Sequence, residues 1–270
     1  MGKKIIPWKG AFPSFKIFGN LYFVGTEPAS THVIDTGDGL IMLDTGYQHS
    51  LYLVLDGMYR LGLDPRELKY ILLTHGHIDH LGAARALVEL TGAKTAIGAE
   101  DRQYANGELD LTYAKELGME YVETFEPDVL LRDGDSITLG NTTVVAKATP
   151  GHTPGAMSFF FDVTDGKETY TAALHGGMGI NTMCREFLDK YSLSYGCREE
   201  FMKAMDKLSK ERVDIFLGNH MQHNHTPERY ELVLKGDDKA FIHPEEWGEY
   251  CIWAKQNLVN MINKENSEEK

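Results

Sequence analysis

The chain has 270 residues with a formal net charge of −13, and 42% hydrophobic residues against 25% charged. That length buries a sizeable core, and the balance is that of a globular protein rather than a disordered or fibrous one. The acidic excess argues against a phosphate-tracking nucleic-acid face, and no apolar run approaches the roughly 18 residues of a membrane span.

Residues 21–25, 32–36 and 40–44 are apolar or alternating runs that predict short strands, the last two joined by a turn at Gly37-Asp38-Gly39. Leu51, Val54, Leu55, Met58 and Leu61 then recur at helical spacing and stop at Gly62. Asp64, Pro65 and Glu67 supply the cap, proline and acid of a short helix start. A β-rich run over 70–74 ends at a histidine cluster, followed by a helix marked by Leu81, Ala84, Leu87 and Val88 and closed by Gly92. A strand at 95–97 follows, and 104–121 is expected to form a helical or loop excursion over an edge.

Strands are predicted again at 129–131, 136–139, 142–146, 157–163 and 169–174, then a helix over 199–210 and a strand at 213–217. Thr226-Pro227-Glu228 opens another helix, and a last one starts near Pro244 with Trp247, Cys251, Ala254, Leu258 and Met261 as its buried stripe. The charged tail from Lys264 is expected to fray. No Pro/Ser-rich linker separates the halves, about 15–125 and 126–262. One α/β domain over residues 1–270 is expected, with two sheets face to face and helices outside.

The chemistry is concentrated in Thr74-His75-Gly76-His77-Ile78-Asp79-His80, where a strand gives way to a helix. Imidazole nitrogen and carboxylate oxygen are the ligands of catalytic zinc, which keeps a position for water. A turn brings His75 and His77 together, while Asp79 and His80, at the start of the helix, point toward a second ion. His152 and His220 each follow a predicted strand in a glycine-flanked turn, as the first cluster does. Two sets result: His75, His77 and His152 around one ion, and Asp79, His80 and His220 around another. Two zinc ions are the expected cofactors, iron or manganese remaining open with the same ligands.

The motif His75–His80, the run Ile71–Thr74 before it, Thr91–Lys94, residues 148–155 around His152 and 214–220 around His220 resemble the metallo-β-lactamase superfamily, and most of all its third subclass of lactamases. The resemblance implies an αββα four-layer sandwich with the metals at the sheet edge. Other branches carry a bridging aspartate after the strand that here is 169–174, whereas this chain reads Ala172-Ala173-Leu174-His175. The third subclass also lacks the acid and places serines there, so His175 is expected at the pocket rim, contacting substrate without completing a metal shell. A subclass disulfide to the last helix has no upstream partner here, which makes Cys251 a free buried thiol. His223 and His225 are candidates for the pocket lining or for solvent.

The implied reaction is hydrolysis of an acyl bond by metal-activated water, with Asp79 positioning the water or accepting its proton, and β-lactam amide cleavage as the leading substrate class. A lactone, thioester or other ester hydrolase using the same dinuclear site is the alternative. A non-catalytic metal scaffold is disfavoured, because a structural zinc needs only four ligands. The partner is a small molecule, not nucleic acid or membrane, and the oligomeric state is open. The first eleven residues lack the apolar stretch of a secretory leader, and the odd cysteine count (Cys184, Cys197, Cys251) suits a reducing compartment. The expected location is therefore cytoplasmic, a secreted protein with its leader removed being the alternative, and a Cys184–Cys197 bridge is likewise left as an alternative.

Overall fold

The computed structural model describes residues 6–119 and 121–268, so the first five residues, Glu120 and the last two residues of the charged tail lie outside the described part. The first half runs β1 (Phe15–Phe18), β2 (Leu21–Phe23), β3 (His32–Asp35), β4 (Leu40–Leu43), α1 (Leu51–Arg60), β5 (Leu68–Leu72), α2 (Ile78–Leu81), α3 (Ala84–Thr91), β6 (Lys94–Gly98), α4 (Arg102–Ala105) and β7 (Val129–Leu131). These strands form one sheet in sequence order, antiparallel from β1 to β4 and parallel from β4 to β7. The second half runs β8 (Ser136–Leu139), β9 (Thr142–Ala148), β10 (Met157–Thr164), β11 (Thr169–Leu174), α5 (Arg185–Lys190), α6 (Gly196–Leu208), β12 (Ile215–Leu217), α7 (Thr226–Leu234) and α8 (Glu246–Glu268). Its sheet has the order β12-β11-β10-β9-β8, with only the β11–β12 pair parallel.

Alternation along the central strands builds the four layers. Ile41 and Leu43 of β4 face the other sheet and meet the cluster of Phe159, Phe161, Leu174 and Leu217, while Leu40 and Met42 face Val54, Met58 and Leu87 of α1 and α3. In the second sheet Phe160, Ala173 and Phe216 turn outward onto Phe201, Met205, Trp247 and Leu258 of α6 and α8. Strands buried on both faces read as continuous apolar runs, as 40–43 and 215–217 do. The expected αββα sandwich is the fold observed.

Several elements differ from the sequence reading. Strand β1 was not predicted. Strand β7 belongs to the first sheet, because Asp128 accepts hydrogen bonds from the Thr95 N–H and Oγ1 and seats β7 beside β6. Residues 65–67 form only a 3-10 turn, and α5 was not foreseen. The 104–121 stretch contributes a single helical turn and then loop, tied to the motif where the Ile78 N–H donates to the Thr112 carbonyl at 2.9 Å. The tail from Lys264 does not fray at once: α8 continues to Glu268, since Glu265 accepts from the Arg185 N–H and the Arg198 guanidinium, each at 2.7 Å. All three cysteines are free, so no Cys184–Cys197 bridge forms, and Cys251 is buried as expected. Among the described residues no helix is long and apolar enough to cross a membrane.

Candidate metal centre

The six residues singled out in the sequence come together in the loops that follow β5, β9 and β12 and in the short helix α2, which carries Asp79 and His80. The donor atoms of His75, His77 and His152 lie within 4.8 Å of one another, and so do those of Asp79, His80 and His220. The His75 and His80 rings, with centroids 4.2 Å apart, join the two sets, and within the first set those of His77 and His152 are 4.5 Å apart. Gly76 makes the first turn possible, because a Cβ there would sit 2.5 Å from Tyr104 Cβ. Gly177, at φ +100°, passes so close to His152 that a Cβ would lie 2.5 Å from its ring.

In His75, His80, His152 and His220, hydrogen bonds at Nδ1 fix which nitrogen is left bare. Thr74 Oγ1 donates to Asp44 Oδ2 at 2.8 Å and so accepts from His75 Nδ1 at 3.0 Å. His80 Nδ1 donates to Asp44 Oδ2, His152 Nδ1 to the Gly179 carbonyl and His220 Nδ1 to the Pro28 carbonyl, at 2.7–2.8 Å. Such partners orient metal-binding histidines and set their tautomer. His75 Nε2 is then a buried lone pair with no partner at all. An orphan of this kind costs about 1–3 kcal/mol unless something binds it. Three imidazole nitrogens in one set, and two plus a carboxylate oxygen in the other, fit a borderline divalent ion such as zinc.

Electrostatics divide the two sets. Burial, reinforced by the neighbouring imidazoles, holds His75 and His77 well below the usual histidine range and brings His152 down to about 4. These three present neutral lone pairs at neutral pH. Burial also opposes the charge on His80, yet Asp79 and Asp44 outweigh it and raise that histidine to about 10. Burial likewise opposes ionisation of Asp79, but His80 and His220 hold it well below the carboxylate range. Asp79 Oδ2 is 3.3 Å from His80 Nε2 and 3.6 Å from His220 Nε2.

His175 is not at the pocket rim. It is 1% exposed, its ring lies 5.6 Å from that of Trp247, and neither ring nitrogen has a partner. The reason is the alternation of β11: Leu174 faces the inter-sheet core and Ala173 the helical layer, so the next residue on Ala173's side is carried toward α8. Burial lowers His175 to about 3, so it stays neutral there. His223 does line the cleft, with Nδ1 3.0 Å from Asn219 Oδ1, while His225 is exposed at φ +55°. The cleft, about 270 Å³, is completed by Tyr47, Tyr113, Met178 and Asn181, none of which the sequence pointed to.

Two supporting acids also escaped the sequence reading. Asp44, fully buried, accepts from the Thr74 N–H, Thr74 Oγ1 and His80 Nδ1. Asp101, also fully buried, accepts from the Gly76 N–H, Thr153 Oγ1 and the Gly155 N–H at 2.6–2.8 Å, tying the loop of His75 and His77 to that of His152. The only sequence signal for Asp44 is an acid just after a buried apolar run; Asp101 has none. Asp101→Asn turns an amide N–H toward one of these donors. It should lower stability by about 1–3 kcal/mol in urea unfolding and weaken metal binding at the three-histidine set.

Comparison with known proteins gives a consistent picture. A family model described as the metallo-beta-lactamase superfamily matches residues 24–165. The structure of BJP-1, a subclass B3 metallo-beta-lactamase of Bradyrhizobium japonicum, superposes with a TM-score of 0.87 and 26% identity, covering 98% of both chains. That of LRA-12, a class B3 di-zinc metallo-beta-lactamase from an Alaskan soil metagenome, gives 0.83 and 25%, covering 97% of this chain and 99% of the other. Bacillus subtilis YobT is 25% identical over 229 residues, 81% of this chain and 94% of its own. Other curated relatives are matched over about half their length; for hydroxyacylglutathione hydrolase GloC of Haemophilus influenzae, 31% identity over 113 residues covers 42% of this chain and 53% of the relative.

Proposed function

The chain belongs to the metallo-beta-lactamase superfamily and is a hydrolase; from that premise we propose that it cleaves an acyl bond at a dinuclear zinc centre, with β-lactam amides as the leading substrate class. His75, His77 and His152 would hold one ion and Asp79, His80 and His220 the other. The observation that carries this reading is the pairing of two converging donor sets with a buried, unpartnered His75 Nε2. The di-zinc neighbour LRA-12 supports the choice of metal, and the B3 neighbours support the substrate class.

When bound, two such ions supply Lewis acidity toward the scissile carbonyl and a water nucleophile active near neutral pH. The chain's own residues do the rest. The Nδ1 tethers of His75, His80, His152 and His220 hold their Nε2 atoms on target, so little reorganisation is needed at the moment of reaction. Asp79, kept ionised by His80 and His220, would help hold the second ion and orient the attacking water; its depressed basicity favours that positioning role over proton acceptance. Tyr47 stays protonated because burial, with Asp79 nearby, raises its phenol, so it offers the cleft an O–H donor.

A second reading, hydrolysis of a lactone, thioester or other ester, is favoured by one feature. Among the described residues no lysine or arginine lines the cleft, so a β-lactam's carboxylate has no cationic side chain to meet. The relative named hydroxyacylglutathione hydrolase supports this reading as well. A screen of zinc-loaded protein against a carbapenem, a lactone and a thioester tests both. The expected result is turnover of at least one, abolished by a chelator and restored by zinc. Turnover that survives complete metal removal would refute the metal-dependent reading.

A further inference from the structure

Beside the metal cleft lies a second groove of about 200 Å³, and His77 and His152 line both. Its walls are Leu111, Phe187, Leu188 and Leu193, with Cys197 at the start of α6. Burial grades along it. His77 and His152 are 4% and 8% exposed, Phe187 and Leu188 are buried, Leu193 is half-buried, and Ser194 and Glu200 are open to solvent. The groove thus leads from the candidate metal ligands to the surface at the N-terminal end of α6. Tyr113 of the cleft and Phe187 of the groove, 5.8 Å apart, form the shared rim. Among the described residues no lysine or arginine lines the groove, and the one acid that does is exposed Glu200.

We propose that this groove is the binding site for an uncharged aliphatic acyl chain, the part of the substrate that continues from the carbonyl held between the two metal sets. The inference rests on the acyl-bond reading above. The occupant follows from three observations: the continuity at His77 and His152, the apolar walls, and an acid at the mouth that repels a terminal carboxylate. At roughly 30 Å³ for a water-sized group, the groove takes about six carbons. Each further buried CH₂ should tighten binding about fourfold, so chain length should raise affinity steeply up to that limit and no further.

Two measurements on the full-length, zinc-loaded chain test this. The first uses the thiols. Iodoacetamide labelling is followed by peptide mass at Cys197, in the groove, and at Cys184, which does not line it. Octanoate should slow Cys197 labelling at least fivefold and leave Cys184 unchanged, while acetate protects neither. Equal labelling of Cys197 with and without octanoate overturns the proposal, whether or not any substrate is turned over. The second compares p-nitrophenyl acetate with p-nitrophenyl octanoate in the parent and in Leu193→Trp, a change at a half-buried position that narrows the groove. The octanoyl ester should be favoured at least tenfold in kcat/KM by the parent, and that preference should fall to within twofold in the variant. Equal turnover of both esters by the parent contradicts the groove and leaves acyl hydrolysis standing. Octanoate protection without hydrolysis of any acyl compound upholds the groove and contradicts the catalytic reading instead.

Discussion

His77→Ala should lower hydrolysis on the order of 10³-fold or more and remove about one equivalent of metal, measured by metal analysis after dialysis. His77 is 4% exposed, and its donor atom lies within 4.8 Å of those of His75 and His152, with no other residue in that set to replace it. The loss should exceed the 10–100-fold that outer partners of metal ligands typically cost. Asp44→Ala provides that comparison, since Asp44 only orients Thr74 and His80. His223→Ala should keep the full metal content, because His223 belongs to neither donor set. Parent-level metal in His77→Ala would show that the assignment of this ligand is wrong.

The two metal sets should load with different pH dependence. A proton and a metal ion compete for the same imidazole lone pair. In the three-histidine set, His152 is brought down to about 4 and burial holds His75 and His77 well below the usual histidine range, so binding there should be nearly flat from pH 8 down to about 5. In the second set His80, raised to about 10 between Asp79 and Asp44, carries a proton throughout that range. The second ion must displace it, so its apparent affinity should fall by about tenfold for each pH unit lost, with about one proton released on binding. Zinc titration by calorimetry in buffers of different ionisation enthalpy reads both quantities. Two sites with the same slope, or a second site that strengthens as pH falls, would contradict this assignment of charge.

How much of the site could be read in advance depended on whether its residues are neighbours in the chain. His75, His77, Asp79 and His80 fall within six positions, so the pattern is visible without any fold. His152 and His220 were legible because each follows a strand in a glycine-flanked turn, the same local setting. Asp44 and Asp101 act through contacts 25 to 54 residues away and carry no local mark of that role. His175 shows the opposite failure. Its place after β11 pointed to the pocket, but strand alternation sends its side chain to the Trp247 layer. The layering was legible from two β-rich halves that each end in helices, and strands 40–43 and 215–217, buried on both faces, carry it in the structure. The edge assignment of β7 was not, since it depends on Asp128 reaching Thr95 across the sheet.

Anomalous diffraction from crystals of the zinc-loaded protein, collected on both sides of the zinc absorption edge, tests the dinuclear centre most directly. The expected map shows two peaks about 3.5–4 Å apart, one at about 2.0–2.1 Å from the nitrogens of His75, His77 and His152 and one among Asp79, His80 and His220. A single peak in the three-histidine set in crystals grown at low pH agrees with the titration order above. Peaks elsewhere on the chain, with these six side chains unliganded at saturating zinc and pH 8, would contradict the account.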